Sequence, residues 1–592
     1  MKIENQKLNI DEAFNNFFYF VPEYQREFVW AEEHVSKFLE DISDEFENNR
    51  NSEYFIGSVV VNRNGSGSYE VIDGQQRLTT IFLTLCAFKS LLGSKKDYLE
   101  YIRRRLFSSE ADEHGEISQR IRLTLQYEDC SAVLNVIMEE KEYPAHLSAS
   151  SERIKEAYSF VSNYLASNYK NDSLIPFYGY FIKKVSFIQI ETPSISDALK
   201  IFETINERGV GLNPLDLLKN LIFRQLDRAR FGHVNSDWKK IIGILEKNKQ
   251  KPLRFLRYFL MANYHINDEK RTEVIREDEI YNWITRNEDQ CKYTNAPFEF
   301  VAKIQRSAER YVNFASGRDS NGKNVYLENI RNLGGASFSQ HLVLLLAGAN
   351  LEPLFFNYLA RQLENLIFYY TVSKTPTKIL ESRFSLWAKE LKKIETIKGD
   401  KRDAINDFVN KYLIQETKQL EGALKLQFLN LEYGSLQKYK LKYILAKICQ
   451  YVDAERIGQK EALSLDPYLA NKIEIEHILP DKPEPELLAT FPNKEKYDEL
   501  KLKLGNLTLL EKPINVVAGR KFFEKKQPLY KSCKFYLTKS IAEIDDVGKE
   551  NTITRMNQRL IHFDKWDEDS INRRQQMLWE LARSIWAIEL IH

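Results

Sequence analysis

The chain has few cysteines and no long apolar run, and each of these features excludes certain classes of protein. Five cysteines are spread over 592 residues, and none forms the Cys-x-x-Cys spacing of a zinc or redox site. No apolar stretch approaches the roughly 20 residues that cross a bilayer, and the N-terminus is polar. The sequence therefore argues against a disulfide framework, a structural zinc and a membrane anchor, and predicts a soluble, cytoplasmic protein.

Charge is nearly balanced, with 85 Lys plus Arg against 84 Asp plus Glu and a net charge of +1. A nucleic-acid surface would therefore need local clustering of basic side chains, because the chain as a whole is not basic. Hydrophobic residues make up 43% and aromatic residues 12%, which is enough for large cores. We expect about three domains and no long disordered segment.

The region between residues 472 and 526 has the order strand, loop, strand, helix. An alternating, β-branched run ends at Pro480, and a second short apolar run follows a long loop. A stretch that opens with a proline comes next and can be helical. The predicted elements are a strand over 472–479, a strand over 507–510 and a helix over 513–526.

Four polar residues stand at the ends of these elements. Glu476 and His477 close the first strand, Asn506 enters the second strand and Asn515 starts the helix. Hydrolysis of a phosphodiester needs a base for the attacking water and a divalent cation held by oxygen ligands. Neighbours on a regular strand point to opposite faces, so Glu476 joins His477 only if the strand ends or bulges there, and Glu474 is the alternative carboxylate.

This arrangement resembles the HNH, or ββα-metal, nucleases. The resemblance implies that His477 is the general base and that Glu476 and Asn515 are ligands of Mg²⁺ or Mn²⁺. It also implies that Asn506 holds the loop or the imidazole in place. A structural Glu-His pair is the alternative interpretation for those two residues taken alone.

A second pattern lies near the N-terminal end. A hairpin of two β-rich runs leads through Asp73-Gly74-Gln75-Gln76-Arg77 into an apolar helix. Gly74 permits a tight turn from strand to helix, and the free N–H groups of a helix start, with Arg77 one turn in, suit a phosphate. The pattern is not a Walker A loop, and an ordinary capped helix is the alternative. The predicted strands cover 56–62 and 69–72, and the helix starts at the Gly74 turn and includes the apolar run 81–88.

Three N-terminal segments, 22–26 (PEYQR), 72–80 (IDGQQRLTT) and 202–209 (FETINERG), together resemble the ParB/sulfiredoxin-like domain of GmrSD-type proteins. In that family the Asp-Gly-Gln-Gln-Arg motif is associated with nucleotide binding and hydrolysis. The resemblance therefore implies an NTP site. Its implied residues are Asp73, Gly74, Gln75, Gln76 and Arg77, with Arg26 and Arg208 as further phosphate-binding candidates.

Both resemblances together imply a type IV, modification-dependent restriction endonuclease with an α+β multidomain fold. The implied partners are an NTP and double-stranded phage DNA with modified bases such as hydroxymethylated or glucosylated cytosine. Two alternatives stay open: a phosphorothioate-sensing DNA nickase of similar architecture, and an NTP-dependent sensor that does not cut DNA. The predicted domains are a ParB-like NTP-binding domain over 1–225, a helical connecting domain over 226–440, and an HNH-like nuclease domain with a helical extension over 441–592.

Apolar residues recur at helical spacing through the middle of the chain and at its end. A stripe at the end predicts a helix over 571–588 that either packs in the core or docks a second copy to form a homodimer. His341 begins an apolar helix and is interpreted as a surface residue or a satisfied core residue. Basic residues flank the nuclease pattern and form either a solvated face or a contact to DNA phosphates: Lys501, Lys503, Arg520, Lys521, Lys525 and Lys526. The helices predicted in the middle cover 215–230, 238–245, 253–264, 341–346, 354–370, 379–397 and 403–420.

Overall fold

The computed structural model describes residues 4–22, 25, 27–63, 68–111, 117–127, 129–193, 214–223, 225–226, 230–266, 274–335, 338–459, 463–491, 494–545, 548 and 551–591. These residues are mostly helical, with one six-stranded mixed sheet and several two-stranded pairs. The predicted α+β class is confirmed. Two compact units divide the chain, one of Met1–Lys240 with Ile284–Ala302 and one of Ile241–Trp283 with Lys303–His592. The division at residues 225 and 440 into three domains stays a prediction.

The first unit contains the mixed sheet. Its strands are β1 (Glu4–Asn9), β2 (Phe18–Val21), β3 (Tyr54–Arg63), β4 (Ser68–Asp73), β5 (Phe107–Ala111), β6 (Ile117–Ile121), β7 (Leu123–Leu125) and β8 (Val185–Thr192). The six-stranded order is β1-β8-β3-β4-β2-β7, and β5 pairs with β6 separately. β3 and β4 are antiparallel, whereas β2 lies parallel to both β4 and β7. The predicted hairpin is therefore confirmed, as strands β3 and β4.

The helix that follows this hairpin begins at Gln75, directly after Gly74, as the predicted turn requires, and it continues beyond the apolar run to Leu92. Its residues from Leu78 to Phe88 are buried on all sides, as expected of a central helix. The helices of this region are α1 (Ile10–Asn16), α2 (Glu32–Asn48), α3 (Gln75–Leu92), α4 (Lys96–Leu106), α5 (Cys130–Glu139), α6 (Ala149–Asn168), α7 (Asn171–Lys184) and α8 (Pro214–Phe223).

Helices dominate the rest of the chain, as the periodicity predicted. They are α9 (Phe231–Lys247), α10 (Pro252–Asn263), α11 (Ile280–Arg286), α12 (Glu288–Cys291), α13 (Pro297–Ala315), α14 (Val325–Gly334), α15 (Leu342–Ala347), α16 (Pro353–Val372), α17 (Lys378–Glu395), α18 (Arg402–Phe408), α19 (Gln415–Leu429), α20 (Lys438–Arg456), α21 (Asp466–Leu469), α22 (Pro485–Thr490), α23 (Tyr497–Leu500), α24 (Lys512–Ala518), α25 (Phe523–Lys531), α26 (Tyr536–Ala542), α27 (Thr552–Asn557) and α28 (Glu568–Ile585). The short strands β9 (Arg318–Asp319) and β10 (Gly322–Lys323) pair together, as do β11 (Ile473–His477) and β12 (Leu507–Glu511).

Three predicted helices differ from the observed ones, and the first, predicted over 215–230, ends at Phe223. The helix predicted over 403–420 contains a π-helical turn at Val409–Ile414. The helix predicted over 513–526 is instead two helices, α24 and α25, because Gly519 has a φ of +51° and ends the first. Hydrophobic periodicity shows which residues face the core, but it predicts neither a π-helical turn nor a break at a single glycine.

The closing helix α28 packs in the core of the second unit. Trp586, just after its end, stacks on Phe368 with ring centroids 3.7 Å apart. The predicted stripe is buried, so the core interpretation is the one observed, while a homodimer stays a prediction; the stripe is Met577, Leu578, Leu581, Ile585 and Trp586. All five cysteines are free and buried. Within the described part of the chain, no helix is long and apolar enough to span a membrane.

Candidate functional site

Strands β11 and β12 place His477 and Asn506 at one end of an antiparallel pair, whereas Asn515 lies in the helix that follows the other end, beside Glu474. The strands are antiparallel, and His477 lies directly opposite Leu507. A long connection with short helices joins them, and β12 leads directly into α24. The predicted order strand, loop, strand, helix is confirmed, while the likeness to the HNH fold stays a prediction.

The His477 imidazole is held by one ring nitrogen. Its Nδ1 lies 3.0 Å from the carbonyl oxygen of Lys501. Because a carbonyl only accepts, Nδ1 carries the proton and the neutral ring presents Nε2 as an acceptor. Burial lowers the pKa of His477, so the neutral form persists to a lower pH than in a free imidazole. The Tyr433 ring meets the imidazole edge-on, with centroids 4.9 Å apart. The imidazole is thus oriented and neutral.

Asn506 is buried and fully hydrogen-bonded. Its Oδ1 accepts from the Leu479 N–H at 2.6 Å and from the Trp566 indole N–H at 2.9 Å. Its Nδ2 donates to the carbonyl oxygens of Leu479 and Lys501 at 2.9 and 2.8 Å. The Lys501 carbonyl is the one that binds His477. Asn506 is therefore a positioning residue, which fixes the group that orients the imidazole.

The Glu476 carboxylate is buried and held by two side chains of α25. Its Oε1 accepts from Lys526 Nζ at 2.7 Å and from the Tyr530 hydroxyl at 2.9 Å. Lys526 also donates to the carbonyl oxygens of His477 and Ile478 at 2.8 and 3.2 Å. Its side chain is 0% exposed, and burial lowers its pKa. The expectation that Lys526 lies on a solvated face or contacts DNA phosphates is therefore wrong.

Asn515, in α24, lies against Glu474. Its Nδ2 donates to Glu474 Oε2 at 2.8 Å, whereas its Oδ1 is buried and has no hydrogen-bond partner among the residues described. A buried acceptor without a donor is destabilising, and a cation satisfies it. Amide and carboxylate oxygens also suit Mg²⁺ or Mn²⁺. Asn515 and Glu474 thus supply two oxygen donors of the kind that binds a divalent cation, and exposed Lys512 lies 3.8 Å from Glu474 Oε1. The Oε1 atom of Glu476 is instead bonded to the buried Lys526.

The turn before β12 rests on α28, a contact that sequence reading missed. A Cβ atom at Gly505 would collide with the carbonyl oxygen of Ile571, so only glycine fits. Arg574 is completely buried, and its Nη1 donates to the carbonyl oxygens of Gly505 and Leu507 at 2.8 and 2.7 Å. Burial lowers the pKa of Arg574 to about 10. The sequence contained one sign of this contact. Arg574 stands four residues before Leu578, so it falls on the apolar, buried face of the helix, where a charged residue needs partners.

The flanking basic residues divide into paired and exposed ones. Lys501 pairs with Asp498 at 2.9 Å, and Lys503 pairs with Glu499 at 3.3 Å. The others around α24 are more open, and Arg520 and Lys525 are exposed. Only the exposed members of the predicted set remain suited to contact a phosphate.

In the first unit, the Asp-Gly-Gln-Gln-Arg motif forms the junction between β4 and α3. Asp73 ends the strand, and Gly74 caps the helix with a φ of +89°. A Cβ atom at Gly74 would lie 2.8 Å from Cγ2 of Val59, so both conformation and space require glycine. Gln75 follows as the first residue of the helix and is buried. The predicted strand-to-helix turn is therefore confirmed.

Gln76 anchors the segment 27–30, which the sequence did not indicate. Its side-chain Oε1 accepts from the N–H groups of Val29 and Trp30 at 2.9 and 3.3 Å. Its Nε2 donates to the Glu27 carbonyl oxygen at 3.1 Å. The Gln76 amide is therefore engaged with backbone groups.

Arg77 lies against an irregular stretch of β3. Its Nη1 donates to the Ile56 carbonyl oxygen at 2.9 Å, and its Nη2 is 3.7 Å from Asp73 Oδ2. Gly57, with a φ of +99°, leaves the space that the guanidinium fills. The side chain is 25% exposed, so it is not completely enclosed by these contacts. The other predicted phosphate-binding arginines, Arg26 and Arg208, lie outside the described residues.

Two family models match the chain. The model of the GmrSD restriction endonuclease N-terminal domain matches residues 6–223, which contain Arg77 and its motif. The model of the GmrSD restriction endonuclease C-terminal domain matches residues 418–581, which contain His477, Asn506 and Asn515. No curated protein matches the chain. Since the two models cover both ends of the chain and the two sites described above, the chain belongs to the GmrSD restriction endonuclease family.

Proposed function

We propose that this restriction endonuclease is an NTP-regulated, divalent-metal-dependent enzyme that cuts foreign DNA carrying modified bases. The observation that carries the proposal is the His477 imidazole, held through Nδ1 with Nε2 as the acceptor, within the segment that matches the nuclease family. Three parts of this proposal follow from the family resemblance: the modified bases in the DNA, the NTP and the metal.

His477 performs the proton transfer in this proposal. Its Nε2 takes a proton from the water that attacks phosphorus, and the Nδ1–H bond to Lys501 steadies the imidazolium that forms. Asn506 keeps that carbonyl in place, and Lys526 holds the end of β11 through two backbone carbonyls. A Mg²⁺ ion bound by Asn515 and a carboxylate would neutralise charge that develops on the phosphate.

The identity of the carboxylate ligand can be tested by paired substitutions. We expect Asn515→Ala and Glu474→Gln to raise the Mg²⁺ concentration for half-maximal cleavage roughly tenfold or more, since each removes one oxygen ligand from a sparse set. Glu476→Gln keeps an oxygen acceptor for Lys526 and Tyr530 but leaves the buried lysine without its anionic partner, so its urea unfolding midpoint is measured beside its metal requirement. Direct Mn²⁺ binding to each variant separates a lost ligand from a lost catalytic step. A raised metal requirement in Glu476→Gln alone would instead favour Glu476, as the family resemblance implies.

Coupling between the nucleotide motif and cleavage is tested at Arg77. We expect Arg77→Ala to lose NTP hydrolysis and to cut DNA at the nucleotide-free rate whether or not NTP is present. A charge-assisted contact to phosphate is worth about 1.5–3 kcal/mol, so nucleotide binding should weaken roughly tenfold or more. Nucleotide alters cutting only through its different affinity for two states of the protein.

The matched control for Arg77 is Arg50→Ala, which removes an exposed arginine of the same unit. Cleavage by wild type and Arg77→Ala is measured with no NTP, with NTP and with a non-hydrolysable analogue. Equal rates in all six reactions would show that the two sites are uncoupled. Thermal unfolding without nucleotide reports any effect of losing the contact to Ile56.

The substrate class is tested with matched DNA duplexes that differ only in modification. Purified protein is incubated with unmodified, hydroxymethylated, glucosylated and phosphorothioated DNA, with Mg²⁺ and each NTP. We expect cleavage of a base-modified duplex and none of the unmodified one. Cutting confined to phosphorothioated DNA would support the nickase alternative, and no cutting of any duplex would support the sensor alternative.

A further inference from the structure

A cavity of about 510 Å³ lies in the second unit and is lined by residues of α10, α13, α14 and α20. This volume is within the range of small-ligand sites. Three cationic side chains line it, Arg254, Arg331 and Lys442, and no Asp or Glu is among its described lining residues. Like charges around a partly enclosed space repel one another, and an anion relieves that repulsion.

The cationic side chains of the cavity differ in the hydrogen bonds and ion pairs that they already form with the protein. Lys442 Nζ donates to the carbonyl oxygens of Leu469 and Ala470 at 3.1 and 3.0 Å, so its position is fixed. Arg254 pairs with no carboxylate among the residues that the structure places. By contrast, Arg257 on the same helix is paired with Glu381. Arg254 is thus a half-buried guanidinium without a carboxylate partner in the described part of the chain.

His341 adds a second, independent observation. Its side chain lines the cavity, is 6% exposed, and has an Nδ1 atom without a hydrogen-bond partner in the described part of the chain. The surface interpretation is therefore wrong, and the core interpretation holds for burial but not for the hydrogen bond of Nδ1. The imidazole stacks on Phe338 with ring centroids 5.3 Å apart and planes within 2°. Burial lowers the pKa of His341 to about 3, so the ring is neutral at physiological pH and offers one hydrogen-bonding nitrogen to a ligand.

We propose that this cavity binds a phosphate-bearing nucleotide, with Arg254 and Arg331 contacting the phosphate and the Phe338–His341 pair lying beside the base. Guanidinium groups match phosphate in charge and geometry, and aromatic rings provide a surface on which any base can stack. The site is separate in sequence and unit from the Arg77 motif, and it does not depend on the nuclease assignment. A free nucleotide and a nucleotide within a DNA strand share the chemistry that this cavity recognises.

Hydrogen exchange measured by mass spectrometry on the full chain tests this site separately from the N-terminal motif. ATP, inorganic pyrophosphate, adenosine and a short single-stranded oligodeoxynucleotide are added in turn. We expect ATP or the oligonucleotide to slow exchange in residues 250–259 and 338–347, pyrophosphate to do so more weakly, and adenosine to have no effect. Protection by ATP identifies a free nucleotide as the ligand, and protection by the oligonucleotide alone identifies a nucleotide within DNA.

Arg254→Gln is expected to raise the concentration for half-maximal protection of these segments roughly tenfold or more. Protection of residues 71–80 should be unchanged, and Arg402→Gln, an exposed arginine in the same unit, should behave as wild type. His341→Phe keeps the stacked ring but removes the buried nitrogen, and should weaken protection without loss of folding. No protection by any phosphate-bearing probe, equal protection by adenosine, or an unaffected Arg254→Gln variant would each overturn the proposal.

Discussion

His477→Ala is expected to reduce DNA cleavage by a factor of about 10² to 10⁴ while leaving NTP hydrolysis largely intact. The imidazole is the oriented, neutral base of the proposed site, and its Nδ1–H is already committed to Lys501. The substitution removes Nε2 but leaves the Asn506 hydrogen bonds that hold the loop. Single-turnover cleavage of a modified duplex, with NTP hydrolysis measured in the same preparation, gives both quantities.

The matched control for this substitution is His562→Ala, which removes a partly exposed histidine of the same unit. It should cut DNA at the wild-type rate. Undiminished cutting by purified His477→Ala would remove the histidine from the mechanism. Parallel loss of cleavage and NTP hydrolysis would instead indicate damage to the whole protein.

Lys526→Met is expected to destabilise the protein by about 3–5 kcal/mol, because it leaves the buried Glu476 carboxylate without its cationic partner. It also removes the donor to two backbone carbonyls at the end of β11. Cleavage should fall as well, since this strand end carries His477. Urea unfolding of the full chain measures the change as a lower midpoint.

The neighbouring residue provides the control, because Lys525 is exposed on the same helix. Lys525→Met should change the unfolding midpoint little. The double variant Glu476→Gln/Lys526→Met should recover part of the lost stability, since it removes the unpaired charge as well. An unchanged midpoint in Lys526→Met would show that the buried pair does not stabilise the fold.

The sequence alone determined the local order of elements at both sites. Alternation and β-branching predicted the hairpin strands β11 and β12, and a glycine between a strand and an apolar run predicted the turn at Gly74. The strands and the turn depend only on residues close together in the chain, so the spacing of residue types is enough to predict them. For the same reason His477 and Asn515 could be selected from their positions at the ends of predicted elements.

Only the tertiary structure decided what the polar side chains around His477 contact. Lys526 binds Glu476 across 50 residues of chain, and Trp566 binds Asn506 across 60. Periodicity places a residue on a face of its own helix or strand but does not say which element packs there. The buried lysine therefore looked like part of a basic surface, and Glu474 and Glu476 could not be distinguished as ligands. The structure shows different surroundings for the two carboxylates: Glu476 is buried beside Lys526, and Glu474 lies beside Asn515. A carboxylate removed from water is stable only with a charged or hydrogen-bonding partner beside it.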